Sequence, residues 1–206
     1  MTTYPKSLKD LIECLKKLPS IGEKSAERMA LSIMAMDLDQ VNLFAQSLLN
    51  VKNNIKRCKI CNNFTEDELC EICKDESRNS EILCVVESPK NVNMFEKMGS
   101  YFGKYHVLDG LISPLDGKTP DDINIKSLVE RVNNEQIKEI IIAVNPSIEG
   151  ETTALYISKL FENSPVLVSK IAHGVPLGTD MEYIDSLTLE MALEDRKKIS
   201  NKNSIS

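Results

Sequence analysis

The sequence predicts an α/β protein in four successive parts: an N-terminal helical hairpin domain, a small four-cysteine module, a mostly parallel sheet of βαβ units, and a C-terminal helix. Three observations carry this. Apolar residues over the first 55 positions recur at helical spacing, four cysteines fall between Cys58 and Cys73, and from Ile82 onward short apolar runs alternate with helical stretches. Length and composition agree. At 206 residues, 42% hydrophobic and 27% charged, the chain can bury a sizeable core and is unlike a disordered or collagen-like one. Its longest purely apolar runs, 82–86 and 140–144, hold five residues each. Spanning a bilayer takes roughly 20.

Leu8, Leu11, Ile12, Leu15 and Leu18 form the stripe of a first helix, which Pro19 ends. After the turn Ser20-Ile21-Gly22, in which Gly22 is free to take positive φ, a second helix begins near Ser25 and carries Ala26, Met29, Ala30, Ile33 and Met34 on one face. Val41, Phe44, Ala45, Leu48 and Leu49 mark a third. Beyond the cysteines the series runs strand 82–86, helix 94–98, strand 105–108, helix 125–132, strand 140–144, helix 153–161 and strand 166–171. Ile184, Leu187, Met191 and Ala192 mark a closing helix, and 201–206 reads as a frayed tail. The expected boundaries are 1–56, 57–80, 81–176 and 177–206. The N-terminus lacks the apolar stretch and small-residue site of a signal peptide, so the chain is expected in the cytoplasm, away from membranes.

The formal net charge of −6 is unevenly spread. Residues 1–57 hold nine Lys and Arg against six Asp and Glu, whereas 58–80 hold three against six, 81–176 nine against thirteen, and the rest four against six. Any phosphate contact is therefore expected in the N-terminal quarter.

Cys58-x2-Cys61 and Cys70-x2-Cys73 are two chelating pairs separated by eight residues, the spacing with which four thiolates enclose one tetrahedral Zn²⁺. A closed four-sulfur site leaves no position for water, so the ion is structural. An iron–sulfur cluster and unpaired structural cysteines are the alternatives. Four thiolates on zinc carry a formal charge of −2, which the neighbouring Arg57, Lys59 and Lys74 are placed to offset. Cys14, on a helix stripe, and Cys84, in a strand, read as small buried hydrophobes.

The turn between the first two helices leaves backbone N–H groups free at a helix N-terminus, with Lys24 and Arg28 one turn apart on one face. This is either an anion site suited to DNA phosphate or an ordinary hairpin with a solvated cationic face. The segment Ser20, Ile21, Gly22, Lys24, Ser25, Arg28 resembles a helix-hairpin-helix DNA-binding motif, whose turn usually reads Gly, apolar, Gly. Here Ser20 stands at the first Gly.

Glu87 follows the strand 82–86, and Asn145, Glu149 and Glu151 follow the strand 140–144. Carboxyl ends of parallel strands are where ligands bind. These side chains either hold Mg²⁺ with waters or complement the dipole of the next helix. The arrangement resembles a Toprim domain, which binds metal for phosphoryl transfer through a lone Glu and an Asp-x-Asp pair. Asn145 and the Glu149/Glu151 pair stand where that motif is expected. His106 and His173 are isolated, with His173 beside Gly174 the more interesting, and no nucleophile–base constellation is present.

Hairpin, four-cysteine module, Toprim-like sheet and closing helix, in this order and with the segment 174–183, resemble the RecR family of bacterial recombination mediators over essentially the whole chain. The resemblance implies a non-enzymatic role in DNA repair: binding single-stranded and gapped double-stranded DNA, and acting with RecO and RecF to help RecA replace single-strand binding protein. It also implies a homotetrameric ring able to encircle DNA, with Lys24 and Arg28 lining the DNA path. Glu87, Glu149 and Glu151 would then form an acidic partner surface. The competing expectation is a Mg²⁺-dependent Toprim nuclease or topoisomerase-like enzyme using the same carboxylates.

Overall fold

The structure, a computed structural model, describes residues 3–172, 174–175 and 178–197. His173, Pro176, Leu177 and the tail 201–206 lie outside the described residues. Two compact units make up the chain, Met1–Ile55 and Lys56–Ser206.

The first unit is helical: α1 (Lys6–Lys16), α2 (Glu23–Met34) and α3 (Leu38–Asn54). Its core is small. Ile12 of α1 meets Ala26 and Ala30 of α2, with Tyr4, Leu8, Leu11, Leu15 and Ile21 packed around them. The two alanines let the helices approach closely, and the Tyr4 hydroxyl donates to Glu27 Oε1 at 2.5 Å. α2 begins two residues before the position read from the sequence, with Gly22 as its N-cap. Asp37 caps α3 by accepting from the Gln40 N–H at 2.8 Å. One expectation is corrected here: Cys14 is exposed on α1 and is not a buried hydrophobe. The third helix stands where its stripe places it, although none of its residues is buried, Phe44, Leu48 and Leu49 being exposed.

The second unit opens with a short antiparallel ladder, β1 (Lys56–Arg57) with β2 (Phe64–Thr65), and a single helical turn, α4 (Glu71–Lys74). The remaining elements are β3 (Asn79–Val86), α5 (Pro89–Met98), β4 (Gly103–Val107), α6 (Ile125–Asn134), β5 (Glu139–Ala143), α7 (Ile148–Leu160), β6 (Leu167–Lys170) and α8 (Ser186–Glu194). The four long-range strands form one sheet in the order β4-β3-β5-β6, parallel throughout, as the alternation of strands and helices predicts. Both faces of β3 are covered, which is why it reads as a continuous apolar run. Leu83 and Val85 join Ile140, Ile142, Leu128, Ile157 and Phe161 on one side, while Cys84 and Val86 join Tyr105, Val107 and Val92 on the other. The first Cys-x2-Cys turn docks on β4: Val107 N–H donates to Cys61 O at 2.9 Å, and Asn62 Nδ2 donates to Val107 O at 3.2 Å. No residue of α8 is buried. Among the described residues, no helix is long and apolar enough to cross a membrane.

Candidate metal centre and nucleic-acid interface

The two cysteine pairs converge. Asn62, left-handed at φ +62°, turns the first loop so that its N–H donates to Cys58 O at 2.9 Å, and Cys58 N–H donates to Asn63 O at 2.8 Å. The second pair wraps around α4, with Lys74 N–H donating to Cys70 O at 3.0 Å. All four sulfurs then lie within 4.8 Å of one another, and Cys61 Sγ and Cys70 Sγ are 3.4 Å apart. Zinc–sulfur bonds of about 2.3 Å place tetrahedral sulfurs roughly 3.8 Å apart, so the cluster closes on Zn²⁺ with little movement. Contact between the sulfurs splits the titration of Cys61 and Cys70. Cys61 is pushed up by its bond to Cys70 and by burial, and Cys70 is pulled down to about 2 by the bonds it accepts from Cys61 and Cys73. A cation at the centre is what lets all four ionise together, and four soft thiolates, three buried and Cys73 half-buried, with no open position make a structural Zn²⁺ site.

The flanking cations act differently from the sequence reading. Arg57 pairs with Asp109 at 2.6 Å, donates to Asn62 O at 3.1 Å and lies over the Phe64 ring. Lys59 pairs with Glu68 at 2.7 Å, and Lys74 with Asp67 at 2.5 Å and Glu71 at 2.9 Å. Their charge is therefore met by carboxylates. The cation that grips the second cysteine loop is Lys104 of β4, which the sequence reading missed because it is thirty-one residues beyond Cys73 and joined to it only by the fold.

At the hairpin, the positive φ falls on Ser20, at +65°, and not on Gly22, which is extended at φ −86°. The expectation for Gly22 is thus corrected. The left-handed position of this turn is the one where the motif commonly has its first Gly, and Ser occupies it with some strain. Ile21 packs into the helical core, while Ser20, Gly22, Lys24, Ser25 and Arg28 are exposed. The first helical bond of α2 runs from Ala26 N–H to Gly22 O at 2.9 Å, and no side chain caps the helix. The amides of Glu23, Lys24 and Ser25 consequently have no acceptor among the described residues. Glu23, the one acid of that first turn, is held by Lys16 at 2.7 Å, and neither Lys24 nor Arg28 is in an ion pair among the described residues.

The carboxylates at the other edge do not gather. Glu87 accepts from Asn145 Nδ2 at 2.7 Å, Glu151 accepts from Lys170 at 2.8 Å, and Glu149 forms no ion pair among the described residues. Among the described residues the cysteine set is the one group of three or more such side chains whose ligand atoms converge; Glu87, Glu149 and Glu151 are not brought together in that way. The loop itself is tightly built. Ser147 caps α7 through the Gly150 N–H at 3.1 Å, and a Cβ on Gly150 would stand 1.9 Å from Asn145 O, so only glycine fits. Thr153, fully buried, donates to Glu149 O at 2.6 Å and accepts from Ile112 N–H at 2.9 Å, pinning the loop after β4 to α7. His106 is also fully buried, with Nε2 donating to Asn124 O at 2.9 Å and Nδ1 unpartnered among the described residues.

A cationic helical hairpin, a four-cysteine zinc loop and a parallel sheet with a carboxylate-bearing edge define a zinc-finger protein of the helix-hairpin-helix and Toprim class. Family models for the RecR helix-hairpin-helix, the RecR four-cysteine zinc finger domain, the Toprim domain and the RecR C-terminal region match residues 8–52, 55–75, 81–172 and 174–197 in turn. The Recombination protein RecR of Natranaerobius thermophilus is 45% identical over 97% of this chain and 100% of its own length, and that of Enterococcus faecalis is 46% identical over 95% and 99%. The chain belongs to the RecR family.

Proposed function

We propose that this protein is a DNA-binding mediator of recombinational repair, acting with RecO and RecF to promote RecA loading on gapped DNA coated with single-strand binding protein. The observation that carries the reading is the hairpin turn. Three unsatisfied amides at the start of α2 and two cations free of ion pairs among the described residues, Lys24 and Arg28, present a phosphate site in the one part of the sequence with a positive surplus. Such contacts hold the backbone and read no base sequence, as a mediator working at any gap requires.

The carboxyl edge of the sheet takes the complementary part. Glu87, Asn145, Glu149 and Glu151 serve as an acidic surface that steers a basic partner such as RecO, and the protein is not an enzyme. The residues 1–56, 57–80, 81–176 and 177–206 serve respectively as DNA-binding domain, zinc finger, Toprim domain and C-terminal segment, in the cytoplasm. The apolar face of α3 supports self-association into a homotetrameric ring, because a helix with Leu48 and Leu49 more than half exposed needs a further copy to cover it.

The test is a salt titration of binding to single-stranded and gapped DNA by the wild type and by Lys24→Ala/Arg28→Ala, with Mg²⁺ present and DNA integrity followed in the same samples. The double variant is expected to lose affinity and about 0.7 to 0.9 of log–log salt slope per phosphate contact removed, with the DNA intact. Strand cleavage abolished by Glu149→Gln would overturn the reading in favour of a phosphoryl-transfer enzyme.

A further inference from the structure

Lys104 is 8% exposed, yet its ammonium has no carboxylate partner among the described residues. Its Nζ donates instead to three carbonyls of the second cysteine loop: Asp75 O at 2.6 Å, Ile72 O at 2.7 Å and Cys73 O at 3.3 Å. An ammonium has three protons, and all three are used. Carbonyl dipoles satisfy its hydrogen bonding but supply no net negative charge, and a buried, unpaired ammonium is costly. The neighbouring loop supplies that charge once it is metallated, because zinc with four thiolates is a formal dianion.

The other cations of the module are otherwise engaged. Arg57, Lys59 and Lys74 are neutralised by Asp109, Glu68, Asp67 and Glu71, and Arg78 by Glu96 and Asp75. Cys58 Sγ accepts one backbone N–H, from Cys70 at 3.3 Å. That leaves Lys104 as the buried cation in contact with the backbone of the zinc loop.

We infer that Lys104 is the counter-cation and positioning residue of the zinc-tetrathiolate, holding the Cys70–Cys73 pair from β4 and offsetting the charge of the loaded site. β4 then grips both pairs, the first through Val107 and Cys61 at 2.9 Å and the second through Lys104. The inference rests on the four-cysteine site holding zinc. It also differs from plain C-capping of α4, which asks only for hydrogen-bond donors and not for charge.

The full-length, zinc-loaded chain is compared with Lys104→Arg, Lys104→Gln and Lys104→Met. Two properties are measured: the rate of zinc transfer to a chromophoric chelator, and the thiolate-to-metal charge-transfer bands of the Co²⁺-substituted protein. Lys104→Gln keeps a donor but no charge, so it and Lys104→Met are expected to release zinc about 10- to 100-fold faster with displaced Co²⁺ bands. Lys104→Arg keeps the charge and is expected to stay within about threefold of wild type, on the scale of ordinary variation in such interactions. Wild-type release and bands in Lys104→Gln would overturn the inference and leave Lys104 a capping donor, whatever Lys104→Met does. Losses as large in Lys104→Arg as in Lys104→Gln would overturn it too. A wild-type chain that takes up neither metal would overturn the zinc assignment itself and this inference with it.

Discussion

Gly22→Ala separates what the hairpin needs to fold from what it needs to bind DNA. Residue 22 sits at φ −86°, ψ 174°, open to any L-residue, and a Cβ built there meets nothing within 4 Å. Removing a glycine restricts the unfolded chain and stabilises by about 0.4–1 kcal/mol. Placing alanine at an N-cap, where glycine is better tolerated, costs a similar amount, on the order of 0.5–1 kcal/mol. Folding stability, followed by urea unfolding in circular dichroism, should therefore change by less than about 0.5 kcal/mol. Binding should not be neutral. The added methyl is on the residue that directly precedes the amides of Glu23, Lys24 and Ser25, which must come within about 2.9 Å of a phosphate oxygen to donate to it. A lost contact of this kind is worth about tenfold in affinity, or 1.4 kcal/mol, and lowers the salt slope by about 0.7 on single strands. Fluorescence anisotropy with labelled oligonucleotides across a salt series reads both. A folded Gly22→Ala protein with wild-type affinity and slope would refute the phosphate site, and a loss of several kcal/mol in stability would refute the claim that the fold does not need this glycine.

Ser20→Gly is expected to act in the opposite sense, relieving about 1–2 kcal/mol of left-handed strain against about 0.5–1 kcal/mol of added unfolded-state entropy, a net gain visible in urea unfolding. Burial pushes the His106 imidazole down from 6.5 to about 4, so between those values the unfolded chain binds the proton and the folded one does not. Stability should accordingly be unaffected above 6.5, fall as pH drops through 6.5 towards 4, and lose nothing more from this group below 4. His106→Gln should remove about 2 kcal/mol of the stability difference between pH 7 and pH 5, and proton NMR of the wild-type imidazole should show the low titration directly. Replacing Cys61 by Ser should abolish zinc binding and raise hydrogen exchange beyond the cysteine loops, along β4, whose Val107 and Lys104 are bonded to those loops.

The sequence made the parallel sheet legible because each strand is a short apolar run bounded by helical periodicity, and both faces of the central strands are buried. The zinc site was legible for a different reason: chelating pairs are local, so spacing alone brings their sulfurs together. Neither logic reaches Lys104, Asp109 or Thr153, whose partners lie 29–32, 52 and 41 residues away and meet only through the fold. Two local readings also failed. Periodicity placed Cys14 among the buried hydrophobes, but an amphipathic pattern states only that a face is apolar, not that the same chain covers it, as the exposed stripe of α3 also shows. In the turn, residue preference favoured Gly22 for positive φ, whereas the geometry of leaving α1 and entering α2 put that conformation on Ser20.

The carboxyl edge of the sheet argues in the same way about what charge is for. Mg²⁺ is reluctant to lose water and takes near-octahedral oxygen ligands, so a site for it needs carboxylates that are both close and unpaired. Here Glu87 accepts a hydrogen bond from a neutral amide, Asn145, at the position where an acid is expected. Glu151 is held by Lys170 of the neighbouring strand through both oxygens, at 3.0 and 2.8 Å. A metal at Glu151 would have to compete with Lys170 for both of those oxygens. A basic protein surface has no such requirement. It can approach an edge whose charges are already positioned by Gly150, Ser147 and Thr153, exchange Lys170 for its own cations, and gain from the field of the whole edge at long range. Under the proposed function, these pairings suit the edge to steering a cationic partner.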